Sequence, residues 1–234
     1  MAPPSHGTCS RAVAGAVLVL VAICAAGLAP MACSNASSAR APAPEPPEAL
    51  EYVPPAPGTY ELPPIARVSA RELVDSSGAR VPFPALAKGQ VAIVAFVYKS
   101  CHDAEGCPAA LAFLQELDRR LAAEPARAAQ VRLVSVSFDP ARDTPEKLAE
   151  LRELMAPRGD WRFLVPASRA DLGALLRDFG QDVAVLESGA QRHVVKIFLV
   201  DDRRQVRNVY SSGFLDADLV LADVTTVTSA PGRK

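Results

Sequence analysis

The chain has 234 residues, with 25 Lys and Arg against 26 Asp and Glu and a formal net charge of -1. Half of the residues are hydrophobic and 22% are charged, which excludes a polytopic membrane protein and a disordered, highly charged chain. The chain also has no basic cluster of the kind that nucleic-acid-binding proteins carry, so we expect no nucleic acid partner.

The N-terminal segment, residues 1–33, has the layout of an export signal. A basic residue precedes an uncharged apolar run from Ala12 to Ala29, and small residues follow. Cys33 lies just after this run and resembles the lipidated cysteine of a bacterial lipoprotein. An uncleaved membrane anchor and ordinary cleavage near Ala36 are the alternatives. All three place the rest of the chain in the bacterial cell envelope, facing the periplasm, and two of them tether it to the membrane.

Residues 34–64 are predicted to be a linker. Nine prolines lie between Ala41 and Pro64, interspersed with Ala and Glu. Proline removes backbone donors and favours the extended polyproline II conformation, so this segment is expected to act as a spacer.

Residues 65–234 are predicted to form one α/β domain. The run VAIVAFVY at 91–98 is typical of a strand buried on both faces, and strand and helix patterns alternate after it. This order predicts a mixed central sheet flanked by helices, for which the thioredoxin-like arrangement is one solution. Strands are predicted at 91–98, 131–138, 161–165, 193–200 and 205–210, and helices at 107–122, 145–155 with Thr144 as N-cap, 168–179, and from near 216 onward.

Two cysteines remain for this domain, because three of the five lie in the first 33 residues. A Cys101–Cys107 disulfide would close a loop of only seven residues and contribute about 2.4 kcal/mol. The pair also lies where a buried strand meets a helix, a position at which open α/β sheets place their sites. Pro108 suggests that Cys107 caps this helix with its sulfur at the positive end of the dipole, which would lower its pKa. Chemistry is therefore favoured over a purely structural bridge.

Histidine narrows the search for a metal ligand, since only His102 and His193 lie outside the leader. His102 stands in the polar loop HDAEG between the cysteines, and His193 begins the predicted strand HVVKIFLV. Two thiolates and one imidazole form a soft ligand set that suits copper, Cu(I) in particular. A structural zinc site would normally need a fourth protein ligand.

Four segments of the domain resemble, in order, the motifs of the Sco/SenC copper proteins: FVYKSC…CP, VSFDPARDTPEKL, HVVKIFLVD and VYSSG. The resemblance extends from about Val68 to Val227. It implies a thioredoxin-like fold, a membrane tether, and binding of Cu(I) or Cu(II) by two cysteines and a histidine. It further implies a role in inserting copper into the copper A site of cytochrome c oxidase, whose copper-containing subunit would be the partner.

Carried over by motif, the metal ligands and redox-active pair are Cys101 and Cys107, the third ligand is His193, and Asp139 matches an acidic residue of the family. The spacing departs from the family pattern, because five residues separate the cysteines where the family usually has three. The longer loop adds His102 as an alternative ligand.

Other functions remain open for the same residues. A thiol–disulfide oxidoreductase that reduces a partner's cysteines would need both cysteines but not His193. Such proteins place a proline opposite the cysteines, and residues 190–193 contain none, which favours a metallochaperone. A peroxiredoxin-type peroxidase and a non-catalytic envelope lipoprotein with a structural disulfide are weaker alternatives.

Overall fold

The computed structural model describes residues 55–101, 103, 106–185 and 191–229, without the side chains of residues 185 and 191–193. The predicted signal segment, Cys33, His102 and most of the predicted linker lie outside these ranges. Within them, no helix is long and apolar enough to cross a membrane.

The described residues form ten strands, five α-helices and one short 3-10 helix at Ser212–Phe214. The strands are β1 (Ala66–Arg67), β2 (Arg71–Asp75), β3 (Arg80–Phe83), β4 (Val91–Val97), β5 (Val131–Ser137), β6 (Trp161–Val165), β7 (Val183–Val185), β8 (Gln191–His193), β9 (Lys196–Asp201) and β10 (Gln205–Ser211). The helices are α1 (Cys107–Ala122), α2 (Pro125–Ala128), α3 (Pro145–Met155), α4 (Arg169–Phe179) and α5 (Ala217–Ser229).

Eight of the strands form one mixed sheet in the order β1-β10-β9-β4-β5-β6-β2-β3. The central strands β4, β5 and β6 are parallel, and every other neighbouring pair is antiparallel. Helices α1, α3 and α5 pack against this sheet. The predicted mixed central sheet flanked by helices is therefore confirmed.

Strand β4 lies at the centre of the core. All seven of its residues are buried, as the continuous apolar run predicts for a strand covered on both faces. Phe96 packs edge-on against Phe179 and Phe198, with ring centroids 5.2 and 5.9 Å apart. These contacts join β4 to α4 and β9, and they hold rigid the strand that leads directly to Cys101.

Capping residues define the ends of helices α3 and α4, close to where the sequence predicted them. The Thr144 hydroxyl accepts the Lys147 N–H at 3.5 Å, and Pro145 occupies the first turn of α3. Ser168 caps α4 by accepting the Asp171 N–H at 3.1 Å. Gly180 ends α4 with φ 57°, the left-handed conformation that glycine adopts without strain.

The predicted strand 193–200 is two strands in the structure. β8 ends at His193 and β9 begins at Lys196. β8 pairs with β7 in a separate hairpin, whereas β9 lies between β4 and β10 in the large sheet. Val194, between them, is 58% exposed. An apolar run does not reveal which partner each part of it pairs with, so the prediction that His193 begins the core strand is wrong.

The sequence analysis did not predict several short elements. β2 (RELVD) and β3 (RVPF) extend the sheet beyond β6, although neither has a clear alternation of apolar and polar residues. Their strand conformation depends on pairing with β6 and with each other. β1, α2 and β7 were missed because each has four residues or fewer, which is too short for a periodic pattern.

The last part of the predicted linker contacts the domain. Two residues of this segment donate hydrogen bonds to α5. The Gly58 N–H donates to the Thr226 hydroxyl at 2.9 Å, and the Tyr60 hydroxyl donates to the Asp223 carboxylate. Further along, the guanidinium of Arg207 on β10 donates to the Leu62 carbonyl at 2.6 Å. The chain is thus attached to α5 and β10 before β1 begins.

Candidate functional site

Three loops meet at one edge of the sheet. β4 and β5 are parallel, with Val97 opposite Ser137, so the loops that follow them leave at the same edge. β9 is antiparallel to β4, and Ile197 lies opposite Ala95, which places the start of β9 at this edge too. The sheet therefore brings the backbone of the cysteine loop, the 138–144 loop and the segment around His193 to one edge.

Cys101 lies in the loop after β4 and is partly exposed. Its N–H donates to the Tyr98 carbonyl at 3.3 Å, and its thiol lies 3.9 Å from the Asp103 carbonyl oxygen. Partial burial raises the pKa of the Cys101 thiol, but hydrogen bonds from the backbone of Cys107 and Asp103, and from the side chains of Cys107 and Tyr98, outweigh it. The net effect is a pKa below the ordinary value for cysteine, which favours the thiolate.

Cys107 is in a different environment, since only 1% of it is exposed. It is the first residue of α1 and Gly106 is the N-cap, so the prediction that Cys107 caps the helix is wrong. Its sulfur accepts the Tyr98 N–H at 3.4 Å. Burial and the neighbouring Cys101 raise the pKa of the Cys107 thiol, opposite to the predicted direction. Burial raises the pKa of this thiol by more than the positive end of the helix dipole lowers it.

The two sulfurs interact directly although both cysteines are free. A hydrogen bond between the thiols contributes to the lower pKa of Cys101 and to the higher pKa of Cys107. The backbone amide of Cys107, the first of α1, lowers the pKa of both thiols, and for Cys101 it is the strongest of the contributions that lower the pKa. The pair can therefore do two things chemically: it can be oxidised to a disulfide, or it can supply two soft donors to a metal.

We predict that Cys101 reacts with iodoacetamide at least about tenfold faster than Cys107 in the reduced protein, because the thiolate is the nucleophile and Cys107 is buried with a raised pKa. Peptide mass spectrometry over a time course measures both rates in one sample. The unfolded chain in guanidinium is the control, and there the two rates should converge. Faster alkylation of Cys107 in the folded protein would contradict the assignment.

A buried carboxyl group supports the cysteine loop. Asp143 accepts the Ser137 hydroxyl at 2.6 Å and the Lys99 N–H at 3.1 Å, so it ties the loop after β5 to the loop that carries Cys101. Burial raises the pKa of Asp143. The sequence did not single out Asp143, since nothing local distinguishes it from other acidic residues that precede a helix cap.

Asp139, the acidic residue singled out by motif, is buried beside this cluster. Its N–H donates to the Ser137 hydroxyl at 3.0 Å, and its carboxylate pairs with the Arg142 guanidinium at 2.6 Å. Tyr98 packs on Phe138 from the same loop, with ring centroids 4.9 Å apart. Polar and aromatic contacts together hold the two loops at fixed positions.

The backbone of His193 lies at the end of β8, opposite Val183, and three residues before β9 enters the core sheet. Its imidazole lies outside the described residues, as do His102 and Cys33. Among the side chains that the structure describes, no group of three His, Cys, Asp or Glu residues could hold a metal. The described soft donors at this edge are the two cysteine sulfurs, which suit a soft metal ion.

Comparison with known proteins identifies this arrangement. The family model described as SCO1/SenC matches residues 66–229. No curated protein sequence matches the chain. Among solved structures, a SCO1/SenC family lipoprotein from Bacillus anthracis str. Ames is 24% identical, with a TM-score of 0.60, covering 69% of this chain and 95% of that chain.

Two further structures are similar. BsSco, a member of the Sco family of cytochrome c oxidase assembly proteins in which a disulfide switch was identified, is 25% identical with a TM-score of 0.60, covering 71% of this chain and 96% of that chain. Arabidopsis thaliana ScoI, solved with copper bound, is 22% identical with a TM-score of 0.59, covering 69% of this chain and 98% of that chain. The thioredoxin-like fold expected from the sequence is confirmed by these matches. Because the family model spans more than half of its residues, the chain belongs to the SCO1/SenC family.

Proposed function

We propose that this protein is an envelope-anchored copper chaperone that assists insertion of copper into the copper A site of cytochrome c oxidase. The observation that carries the proposal is the pair of free, hydrogen-bonded thiols of Cys101, in the loop after β4, and Cys107, the first residue of α1, in a member of the SCO1/SenC family. Related structures of Arabidopsis ScoI, Bradyrhizobium japonicum ScoI and yeast Sco1 contain copper, and BsSco belongs to a family of oxidase assembly proteins.

In this proposal copper is the cargo, and Cys101, Cys107 and His193 are its ligands. The partly exposed Cys101 sulfur is accessible to an incoming ion, and the buried Cys107 sulfur supplies the second bond. Both thiols must lose their protons on binding, so copper replaces the hydrogen bond between the sulfurs. An imidazole from His193 would complete a soft three-coordinate set.

The proposed organisation of the chain follows from the same function. Residues 1–33 would carry the export signal or anchor, with Cys33 as the lipidation site, residues 34–64 would form the spacer, and residues 65–234 would form the copper-binding domain. The lipoprotein of the same family from Bacillus anthracis supports an envelope location. A tethered domain would meet the oxidase subunit at the membrane surface.

A thiol–disulfide oxidoreductase is the second candidate, and the contrast between the two thiols favours it. The Cys101 thiolate would attack a partner disulfide and form a mixed disulfide, releasing one partner thiolate. Cys107, on losing its proton, would then attack Cys101 and release the second partner thiolate. The partner gains two electrons, and the Cys101–Cys107 disulfide remains. His193 has no part in this sequence, so its requirement separates the two functions.

Anaerobic titration of the reduced full chain with Cu(I) tests the proposal. We expect one copper ion per chain, and loss of this site when both Cys101 and Cys107 are replaced by serine. To confine the titration to the domain, Cys9, Cys24 and Cys33 are changed to serine in every sample. A chain that binds no copper under these conditions, while still reducing a disulfide substrate, would support the oxidoreductase.

Deleting the gene is expected to lower cytochrome c oxidase activity, and added copper should restore part of it, because excess copper can bypass a delivery protein. The measurement is oxidase activity in isolated membranes, normalised to haem content. A strain that expresses the Cys101→Ser variant is the matched control and should resemble the deletion. Normal oxidase activity of the deletion strain under copper limitation would count against a delivery role.

A further inference from the structure

We propose that Gln181 is a positioning residue that holds the backbone beside His193 and so sets where the β7–β8 hairpin presents this histidine. The inference rests on the proposed function, in which His193 is a copper ligand. Gln181 lies between the end of α4 and the start of β7, and none of the sequence motifs includes it.

The contacts of Gln181 bridge the two ends of the hairpin. Its side-chain amide nitrogen donates to the Asp182 carbonyl at 3.1 Å and to the Val194 carbonyl at 3.2 Å. Val194 directly follows His193 in the chain. One side chain thus links the residue that precedes β7 to the residue that follows β8.

The link acts at the point where the hairpin joins the core sheet. His193 lies opposite Val183 in the last pair of the hairpin, and β9 begins only at Lys196. A second link at this base runs from the ammonium of Lys196, a half-buried residue, to the Gly180 carbonyl at 2.8 Å. Gln181 is the buried member of the two, with 4% of its surface exposed. Water therefore competes less for the hydrogen bonds of Gln181 than for that of Lys196.

Packing alone does not account for an amide at this position. The side-chain oxygen of Gln181 is buried and has no hydrogen-bond partner among the described residues. A buried acceptor without a donor destabilises the folded state, and a methionine of similar shape would avoid that cost. The two carbonyls that accept from Gln181 belong to exposed residues, Asp182 and Val194. Replacing the amide should therefore release the hairpin without unfolding the domain.

A metal ligand on a mobile segment binds its ion more weakly, because the segment loses conformational entropy when the ion binds. Groups that orient metal ligands typically change affinity by about 10–100-fold. Gln181 acts through the backbone rather than on the imidazole itself, so we expect a loss near the lower end, about tenfold.

The test compares Cu(I) affinity of the full chain with its Gln181→Met, Gln181→Glu and His193→Ala variants, by competition with a chromogenic chelator. Both Gln181 variants lack the N–H donors, and the second covers the case in which the first fails to fold. Gln90→Met is the matched control. Gln90 also holds a loop through its amide, donating to Ala129 and accepting from Ala87, but it precedes β4 at the opposite edge of the sheet.

We expect Gln181→Met to lower Cu(I) affinity about tenfold, weaken the nitrogen hyperfine coupling of the Cu(II) complex, and leave the thermal midpoint and the dithiol midpoint potential as in the unmodified chain. Gln90→Met should leave affinity unchanged. If His193→Ala weakens binding and the Gln181 variants do not, the inference is wrong and the proposed function stands. If His193→Ala binds copper as the unmodified chain does, the ligand assignment fails and the inference fails with it. Equal loss of affinity in Gln90→Met would reduce the effect to general stability and overturn the inference.

Discussion

Oxidation of the Cys101–Cys107 pair is expected to abolish copper binding. The two thiols are joined by a hydrogen bond in the reduced chain, and a disulfide between them would remove the thiolate charge that makes both sulfurs copper ligands. Loss of a residue that only orients a metal ligand lowers metal affinity by up to about 100-fold. Oxidation removes two ligands, so we expect copper affinity to fall by much more than that.

The measurement is copper retained per chain after desalting, with the number of free thiols counted in the same sample. The three leader cysteines are replaced by serine so that only one disulfide can form. Re-reduction of the oxidised sample is the control and should restore binding. Undiminished copper binding by protein whose two thiols are fully oxidised would show that they are not the ligands.

Replacing His193 by alanine is expected to weaken copper binding strongly while leaving the fold and the dithiol couple intact. Two thiolates can still hold Cu(I), but they support Cu(II) poorly. We therefore expect the variant to keep some Cu(I) and to lose the coloured Cu(II)–thiolate complex. The fold should survive, since His193 ends a short hairpin strand outside the large sheet.

The comparison variant is His102→Ala, which should change little because a residue next to Cys101 has poor geometry for the same coordination plane. Each variant is loaded with Cu(II), and the nitrogen hyperfine coupling and the thiolate charge-transfer band are recorded. Loss of both signals in His102→Ala, with both kept in His193→Ala, would move the third ligand into the widened loop between the cysteines.

Local patterns were enough to predict the main elements around the candidate site. The run VAIVAFVY predicted the buried strand β4, and the bounds of α1, α3 and β6 agree with the structure. Thr144 marked the start of α3 because the effect of a capping residue is confined to one turn. The cysteine pair at a strand–helix junction was visible for the same reason.

Other properties depended on contacts between distant parts of the chain. The pKa of Cys107 is raised because the fold buries it under the Tyr98 loop, whereas the helix signal alone predicted a lower pKa. The break after His193 is set by the pairing of β8 with β7, although the sequence continues apolar through it.

The sequence by itself determined the longer elements, the α/β class and the candidate ligands, because these follow from periodicity, capping and residue chemistry within a few positions. The tertiary structure decided which groups support the ligands. Asp143 holds the Cys101 loop through the Lys99 N–H, 44 residues away in the chain. Gln181 holds the segment after His193 through the Val194 carbonyl, 13 residues away. A hydrogen bond between residues so far apart exists only once the strands have aligned their ends, so no local pattern could have predicted it.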